Sequence, residues 1–217
     1  MTDHVVAVFG ASFVSGLLDH LQYGSPVRLS PRDIASRLRV GRVVKEVHLA
    51  GVGGDRIMDV NLKQLPSHMT KTLAVGPTII ILNYGSNDLT RGSHPLDVAV
   101  KTHDLAETLL TDYPTVQHVV LCSVIHRTHN LGVLSKESFQ EKSYLLNGFL
   151  NNLCDVQPSM TYHVHKGFWS SEVSDWSRDG IHPNKPGQDG GRIKFKRSLR
   201  RAIFQAVTTA SRQAKQI

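Results

Sequence analysis

Short apolar segments along the chain alternate with longer segments in which apolar residues recur every three or four positions. Short runs rich in Val, Ile and Leu are typical of strands buried on both faces, and the longer segments are typical of amphipathic helices. The predicted strands span residues 4–9, 44–50, 77–83, 118–125 and 161–165. The predicted helices span residues 14–22, 56–66, 95–112, 136–154 and 188–212. This alternation predicts an α/β fold in which helices flank a mostly parallel, five-stranded sheet.

The last predicted helix has an apolar face and a basic face. Its apolar positions are Phe195, Leu199, Ala202, Ile203 and Ala206. From residue 185 to the end, nine Lys or Arg residues stand against one acid, so this segment carries +8 and the rest of the chain −1, for a net charge of +7. Such a face can attract nucleic acid or an anionic membrane, or can simply be solvated. The candidate contacts with these partners are Lys194, Lys196, Arg197, Arg200 and Arg201.

Length and composition favour one domain spanning residues 1–217, because 217 residues without a repeat or linker can share a single core. Cys122 and Cys154 form neither a disulfide framework nor a zinc motif, so we expect buried thiols. No run of about 18 apolar residues exists. The first apolar run follows Asp3 rather than Lys or Arg, which argues against a signal peptide. These features together favour an intracellular location.

The first predicted strand is followed directly by GASFVSG, which places Ser12 at a strand-to-helix turn. In an open parallel sheet, functional groups gather after the carboxyl ends of strands. A serine hydroxyl there lies near a helix N-terminus, which stabilises negative charge. The alternative is an ordinary N-cap serine. The segment is not a G-x-S-x-G nucleophile elbow, because Val14 replaces the second glycine.

Two further loops follow predicted strands and carry small or polar residues. The glycines of AGVGGDRI, which include Gly54, allow a backbone to approach a ligand, although a structural turn explains them equally well. In NYGSNDL, Asn87 can donate a side-chain N–H and Asp88 can cap the next segment. Neither loop alone decides a function.

The stretch RDGIHPN contains Asp179 and His182. A histidine that removes a proton from a serine needs an acceptor on its other ring nitrogen, and Asp179 can supply that acceptor. Asp175 is a rival for the same role. A serine, an acid–histidine pair and neutral hydrogen-bond donors together favour acyl transfer.

These blocks resemble those of the SGNH hydrolases, also called GDSL-type esterases, in order and spacing over nearly the whole chain. The resemblance implies a flavodoxin-like, three-layer α/β/α sandwich and a serine esterase that needs no metal or other cofactor. It implies a triad of Ser12, Asp179 and His182, with Ser12, Gly54 and Asn87 forming the oxyanion hole. The family's GDS triplet reads GAS here, so Ala11 replaces an aspartate that is not a triad member. We therefore expect an active enzyme rather than an inactive relative.

The resemblance leaves the substrate open. Short acyl or acetyl esters are favoured because no long lid insertion is evident, and lipids or thioesters are variants. The end of the chain also resembles the esterase domain in the first open reading frame of some non-LTR retrotransposons. This second resemblance suggests an alternative role as a nucleic-acid- or membrane-binding module of a larger protein.

Four other side chains are candidates for the surroundings of the site. His126 and His129 could line the substrate cleft, and a metal site between them would lack a third ligand at suitable spacing. Trp169 and Trp176 could form a wall of the site or pack its loop against the core.

Overall fold

The computed structural model describes residues 3–127, 134–168 and 190–214. Its centre is a five-stranded sheet with strand order β2-β1-β3-β4-β5. The strands are β1 (Val5–Gly10), β2 (Glu46–Gly51), β3 (Ile79–Asn83), β4 (His118–Cys122) and β5 (Met160–His163). All four neighbouring pairs are parallel. Their carboxyl ends therefore meet at one edge of the sheet.

In the described ranges, seven α-helices connect and cover these strands. They are α1 (Ser12–Gln22), α2 (Pro31–Arg37), α3 (Ser67–Leu73), α4 (Ser86–Thr90), α5 (Pro95–Asp112), α6 (Lys136–Asp155) and α7 (Gly191–Gln213). Alternate residues of one strand enter two separate cores, as the pleat requires. For example, Ile80 packs in one core with residues of α3, α5 and α6, whereas Ile81 packs in the other with residues of α1, α2 and α7. The result is a three-layer α/β/α sandwich, as predicted.

All five predicted strands are present, with ends shifted by up to three residues. The predicted helix at 95–112 is confirmed at both ends by α5, and α1 and α6 lie close to their predicted bounds. Helix α7 is confirmed over 191–213, and its five predicted apolar residues are all buried. Residues 188 and 189 lie outside the described part of the chain.

The predicted helix at 56–66 is wrong. That segment contains only a three-residue 3₁₀ helix, Ile57–Asp59, followed by turns, and α3 begins after Pro66. The reason is tertiary, because the N–H groups of Ile57 and Met58 donate to the carboxylate of Asp88. Pattern reading also missed α2, although Ser30 and Asp33 form a capping box at its start. None of the helices in the described ranges is both long and apolar enough to cross a bilayer.

Candidate active site

Ser12 lies at the carboxyl edge of the sheet, two residues after β1 ends. The N-cap of α1 is Ala11, so Ser12 is the first helical residue and its hydroxyl does not cap the helix. Within the described ranges this hydroxyl has no hydrogen-bond partner, and the side chain lines a cleft. The N-cap alternative is therefore wrong.

Two glycines bring α1 close to the sheet. A Cβ on Gly10 would lie 2.7 Å from Val14 Cγ2 and 2.7 Å from the carbonyl oxygen of Asn83. A Cβ on Gly51 would lie 2.7 Å from Val14 Cβ and would overlap the amide nitrogen of Ser15. No side chain fits at either position, so these glycines set the depth at which the N-terminus of α1 meets the strand ends.

The cleft beside Ser12 is formed by the loops after β1, β3 and β4. Its lining residues are Ala11, Ser12, Phe13, Asn83, Tyr84, Gly85, Ser86, Asn87, Ser123, Val124 and Ile125. The structure thus brings Ser12 and Asn87, 75 positions apart in the chain, to one cleft. The order of the strands explains this meeting, because β1 and β3 are neighbours in the sheet.

Asn87 lies on α4, whose N-cap is Gly85 with φ of +106°. The amide Nδ2 of Asn87 donates to the backbone carbonyl of Asp55 at 3.0 Å. An amide nitrogen carries two hydrogens, so this bond orients the group and leaves one N–H for another acceptor. The contact also ties the loop after β2 to the loop after β3.

Asp88 strengthens the same connection between loops. Its carboxylate is completely buried and accepts from the backbone N–H groups of Ile57 at 3.2 Å and Met58 at 3.0 Å. Burial raises the pKa of this carboxyl, while the two N–H donors and Arg56 act in the opposite direction. Sequence reasoning expected Asp88 to cap the following segment. The structure corrects that role, because α4 has no side-chain cap and Asp88 anchors the loop after β2 instead.

Gly54 lies in an exposed turn of that loop with φ of +82°. A Cβ at this position would meet no described atom within 4 Å, so there is space for a side chain. The left-handed backbone conformation is what favours glycine here. Gly54 is adjacent to Asp55, the acceptor for Asn87, but is not among the residues that line the cleft. Its N–H remains a predicted oxyanion donor.

A buried polar network lies behind the cleft. His165 is 1% exposed, and its Nε2 and Nδ1 contact Asn83 Oδ1 at 3.0 Å and Ser198 Oγ at 2.9 Å. The backbone N–H of His165 donates to Ser123 Oγ at 2.9 Å. Burial lowers the pKa of His165 to about 3, so the imidazole is neutral at physiological pH. The network holds two cleft residues, Asn83 and Ser123, against β5 and α7.

Arg127 connects the loop after β4 to the GSND segment. Its Nη2 donates to Ser86 Oγ at 2.7 Å, and its guanidinium lies 4.5 Å from the centroid of the Phe139 ring. Sequence reasoning did not identify Arg127, Tyr84 or Ser123. Position was the available signal for Tyr84 and Arg127, which lie in loops after predicted strands, whereas Ser123 lies inside the predicted strand at 118–125.

The predicted acid–histidine pair, Asp179 and His182, lies outside the described residues, as do Asp175, His129, Trp169 and Trp176. Their sequence-based roles stay predictions.

His126 is described and is buried, with Nδ1 3.1 Å from Ser143 Oγ. Burial lowers the pKa of His126 to about 4, and the residue is not among those that line the cleft. Among the described residues, one group has the side-chain types and spacing to hold a metal ion, namely His103, Asp104 and Glu107 on α5. This group is likewise absent from the lining of the cleft.

Several known proteins are similar to this chain in fold or in sequence pattern. Among curated proteins, none matches the chain. A psychrotrophic esterase from Pseudoalteromonas sp. superposes with a TM-score of 0.63 at 13% identity, covering 93% of this chain and 100% of the esterase. A carbohydrate esterase of family 3 from Talaromyces cellulolyticus gives 0.62 at 13% identity, with 94% and 98% of the two chains covered.

A family two carbohydrate esterase from Cellvibrio japonicus gives a TM-score of 0.61 at 16% identity, covering 96% of this chain and 63% of that enzyme. These likenesses confirm the fold. The sequence model of the GDSL-like lipase/acylhydrolase family matches residues 8–189, which include all the motif blocks described above. The chain therefore belongs to the GDSL-like lipase/acylhydrolase family and is a carboxylic ester hydrolase.

Proposed function

We propose that the protein hydrolyses short-chain acyl or acetyl esters through Ser12, His182 and Asp179. The observation that carries the proposal is the shared cleft at one edge of the sheet, which is lined by Ser12 and by Asn87 with its oriented amide. The hydroxyl of Ser12 has no hydrogen-bond partner among the described residues. Nucleophile and oxyanion donor must both reach the same carbonyl group, and a common cleft meets that requirement.

In this proposal, His182 removes the proton from Ser12 as the hydroxyl attacks the ester carbonyl. Asp179 accepts a hydrogen bond from the other ring nitrogen of His182 and stabilises the imidazolium. His182 then donates the proton to the departing alcohol, which leaves an acyl group on Ser12. A water molecule, deprotonated by His182, attacks the acyl-enzyme and releases the carboxylic acid.

The negative oxygen of each tetrahedral intermediate requires donors. The first N–H groups of a helix have no partner within the helix, and the N-terminus carries a partial positive charge. Ser12 begins α1, so its own N–H is available at this position. In the proposal the amide of Asn87 supplies a second donor and the N–H of Gly54 a third.

The first experiment measures hydrolysis of p-nitrophenyl acetate by the parent protein and by Ser12→Ala. We expect the substitution to reduce kcat by about 10⁴-fold or more, because the residual activity of triad enzymes comes from the oxyanion hole and binding alone. Ser15→Ala is the matched control, since it removes a hydroxyl that bonds the backbone carbonyl of Ser12 one turn earlier on the same helix. Equal rates for the parent and Ser12→Ala would overturn the proposed mechanism.

A second experiment tests the oxyanion donor. Asn87→Ala should lower kcat by about 10²- to 10³-fold with a small change in KM, because the donor acts mainly in the transition state. A loss confined to KM would contradict the assigned role.

A series of p-nitrophenyl esters from acetate to palmitate tests the acyl length, and a kcat/KM that rises toward palmitate would exclude the short-chain preference.

A further inference from the structure

A large groove lies at the opposite end of the sheet from the cleft. Its volume is about 1120 Å³, and it is bounded by segments that precede β1 and β2, by α2 and by the middle of α7. The lining residues are Asp3, Arg32, Ala35, Ser36, Arg39, Gly41, Arg42, Val43, Val44, Lys45, Arg200 and Phe204. We call this surface the α2–α7 groove. It shares no residue with the cleft around Ser12.

The α2–α7 groove is strongly cationic. Five of its residues are basic and one is acidic. In the described part of the chain, Arg39, Arg42, Lys45 and Arg200 form no salt bridge, and Arg32 has only a loose contact of 3.6 Å with Glu46. Unneutralised cations around a concavity raise the local concentration of anions.

The crowding of positive charge continues along α7. The pKa of Lys196 is lowered, first by burial and then by the nearby cations Arg39 and Arg37. Lys196 precedes Arg200 by one helical turn, so α7 brings its own charges against those at the end of α2. Like charges placed close together repel one another, and a bound anion would reduce that repulsion.

The conformation of Arg39 supports a role for its side chain. Its φ is +58°, which makes it the one residue other than glycine with positive φ in the described ranges. Glycine adopts this conformation without steric cost and is common directly after a helix. The arginine thus occupies a position where the backbone alone would favour glycine.

The floor of the α2–α7 groove is apolar and includes one aromatic ring. Ala35, Val43 and Val44 lie beside Phe204, whose centroid is 5.4 Å from the guanidinium carbon of Arg200. Cations along a groove with an aromatic surface suit a chain of phosphates and bases. A flat membrane surface fits such a concavity less well than an extended chain does. We propose that the α2–α7 groove binds single-stranded nucleic acid.

This proposal differs from the partner surface predicted from the sequence. Of the five predicted helix cations, only Arg200 lines the α2–α7 groove. Arg197 and Arg201 are exposed outside it. Arg39, Arg42 and Lys45, which precede β2, also line the α2–α7 groove, and only the tertiary structure shows this.

The test measures binding of a fluorescently labelled 20-nucleotide oligouridylate to the whole chain by fluorescence anisotropy over a series of salt concentrations. The variant Arg39→Gly/Arg200→Gln removes two cations, and its first substitution also places glycine where the backbone favours it. Each phosphate contact with a single strand contributes about 0.7 to the slope of log K against log salt. We expect this variant to bind more weakly at about 50 mM salt, with a slope smaller by about 1.4. Its melting temperature should stay within a few degrees of the parent.

Lys63→Gln/Lys71→Gln is the matched control. It removes two exposed cations near α3 and should bind like the parent. Absence of binding by the parent at about 50 mM salt would overturn the proposal. An equal loss in the control would do the same, since the interaction would then depend on net charge alone. Binding to phosphatidylserine vesicles without binding to the oligonucleotide would identify a membrane surface instead and would also refute the groove's assigned ligand.

Discussion

Mild acid should destabilise this protein through the buried imidazole of His165. The pKa of His165 is lowered from 6.5 to about 3 because the side chain is buried between Asn83 and Ser198. In the unfolded chain the same imidazole accepts a proton near pH 6.5. Its contribution to stability is therefore complete above pH 6.5 and is lost as the pH falls from 6.5 toward 3.

The magnitude follows from the difference between the two pKa values. Each pH unit between them costs about 1.4 kcal/mol, so His165 alone should lower the free energy of unfolding by about 2 kcal/mol at about pH 5. His118, whose pKa burial lowers to about 4, adds a similar amount. A combined loss of about 4 kcal/mol is a large share of the roughly 5–15 kcal/mol that stabilises a domain.

Urea denaturation at several pH values between about 8 and 5 measures this effect. In His165→Gln, which keeps one hydrogen-bonding group, the slope of the unfolding free energy against pH below about 6.5 should fall by about 1.4 kcal/mol per unit. The overall stability of this variant will also change, so the slope is the informative quantity. His94→Asn is the control, because it replaces an exposed imidazole and retains a capping side chain at the start of α5. Parallel curves for the parent and His165→Gln would refute the reasoning.

Other consequences of the structure are open to direct measurement. Gly51→Ala should lower the melting temperature by about 4–8 °C, or about 2 kcal/mol, because a methyl group there overlaps α1. Calorimetry should show a much smaller change for Gly53→Ala, which enters open space. Cys122 and Cys154 should react with a thiol reagent only in denaturant. Burial raises the pKa of the Cys122 thiol and raises the pKa of the Cys154 thiol to about 12. Rapid labelling of the native protein would contradict this prediction. Asp88→Ala should cost about 1–3 kcal/mol by leaving two backbone N–H groups without their acceptor, and unchanged stability in urea would show that water replaces the carboxylate.

Local sequence features predicted most of the architecture because buried parallel strands and amphipathic helices have distinct periodicities. The run IIILN identified β3, and the spacing of apolar residues around Leu199 identified the buried face of α7. The helix predicted at 56–66 failed because a long-range contact with Asp88 competes with helix formation there. Helix α2 was missed because it is only seven residues long, too short for a clear period.

By itself, the sequence determined the alternation of strands and helices and the order of the motif blocks. It also predicted Ser12 and Asn87 as site residues. The alternation of elements depends on the spacing of apolar residues within each segment, and the motif blocks can be recognised from the order of residues alone. The tertiary structure decided which loops meet: β1 and β3 are adjacent, so Ser12 shares a cleft with Asn87, and Asp55 orients the amide. It also decided that α7 faces the end of α2, which gathers cations from separate segments into the α2–α7 groove. Both outcomes depend on strand order and helix packing, which no local pattern encodes.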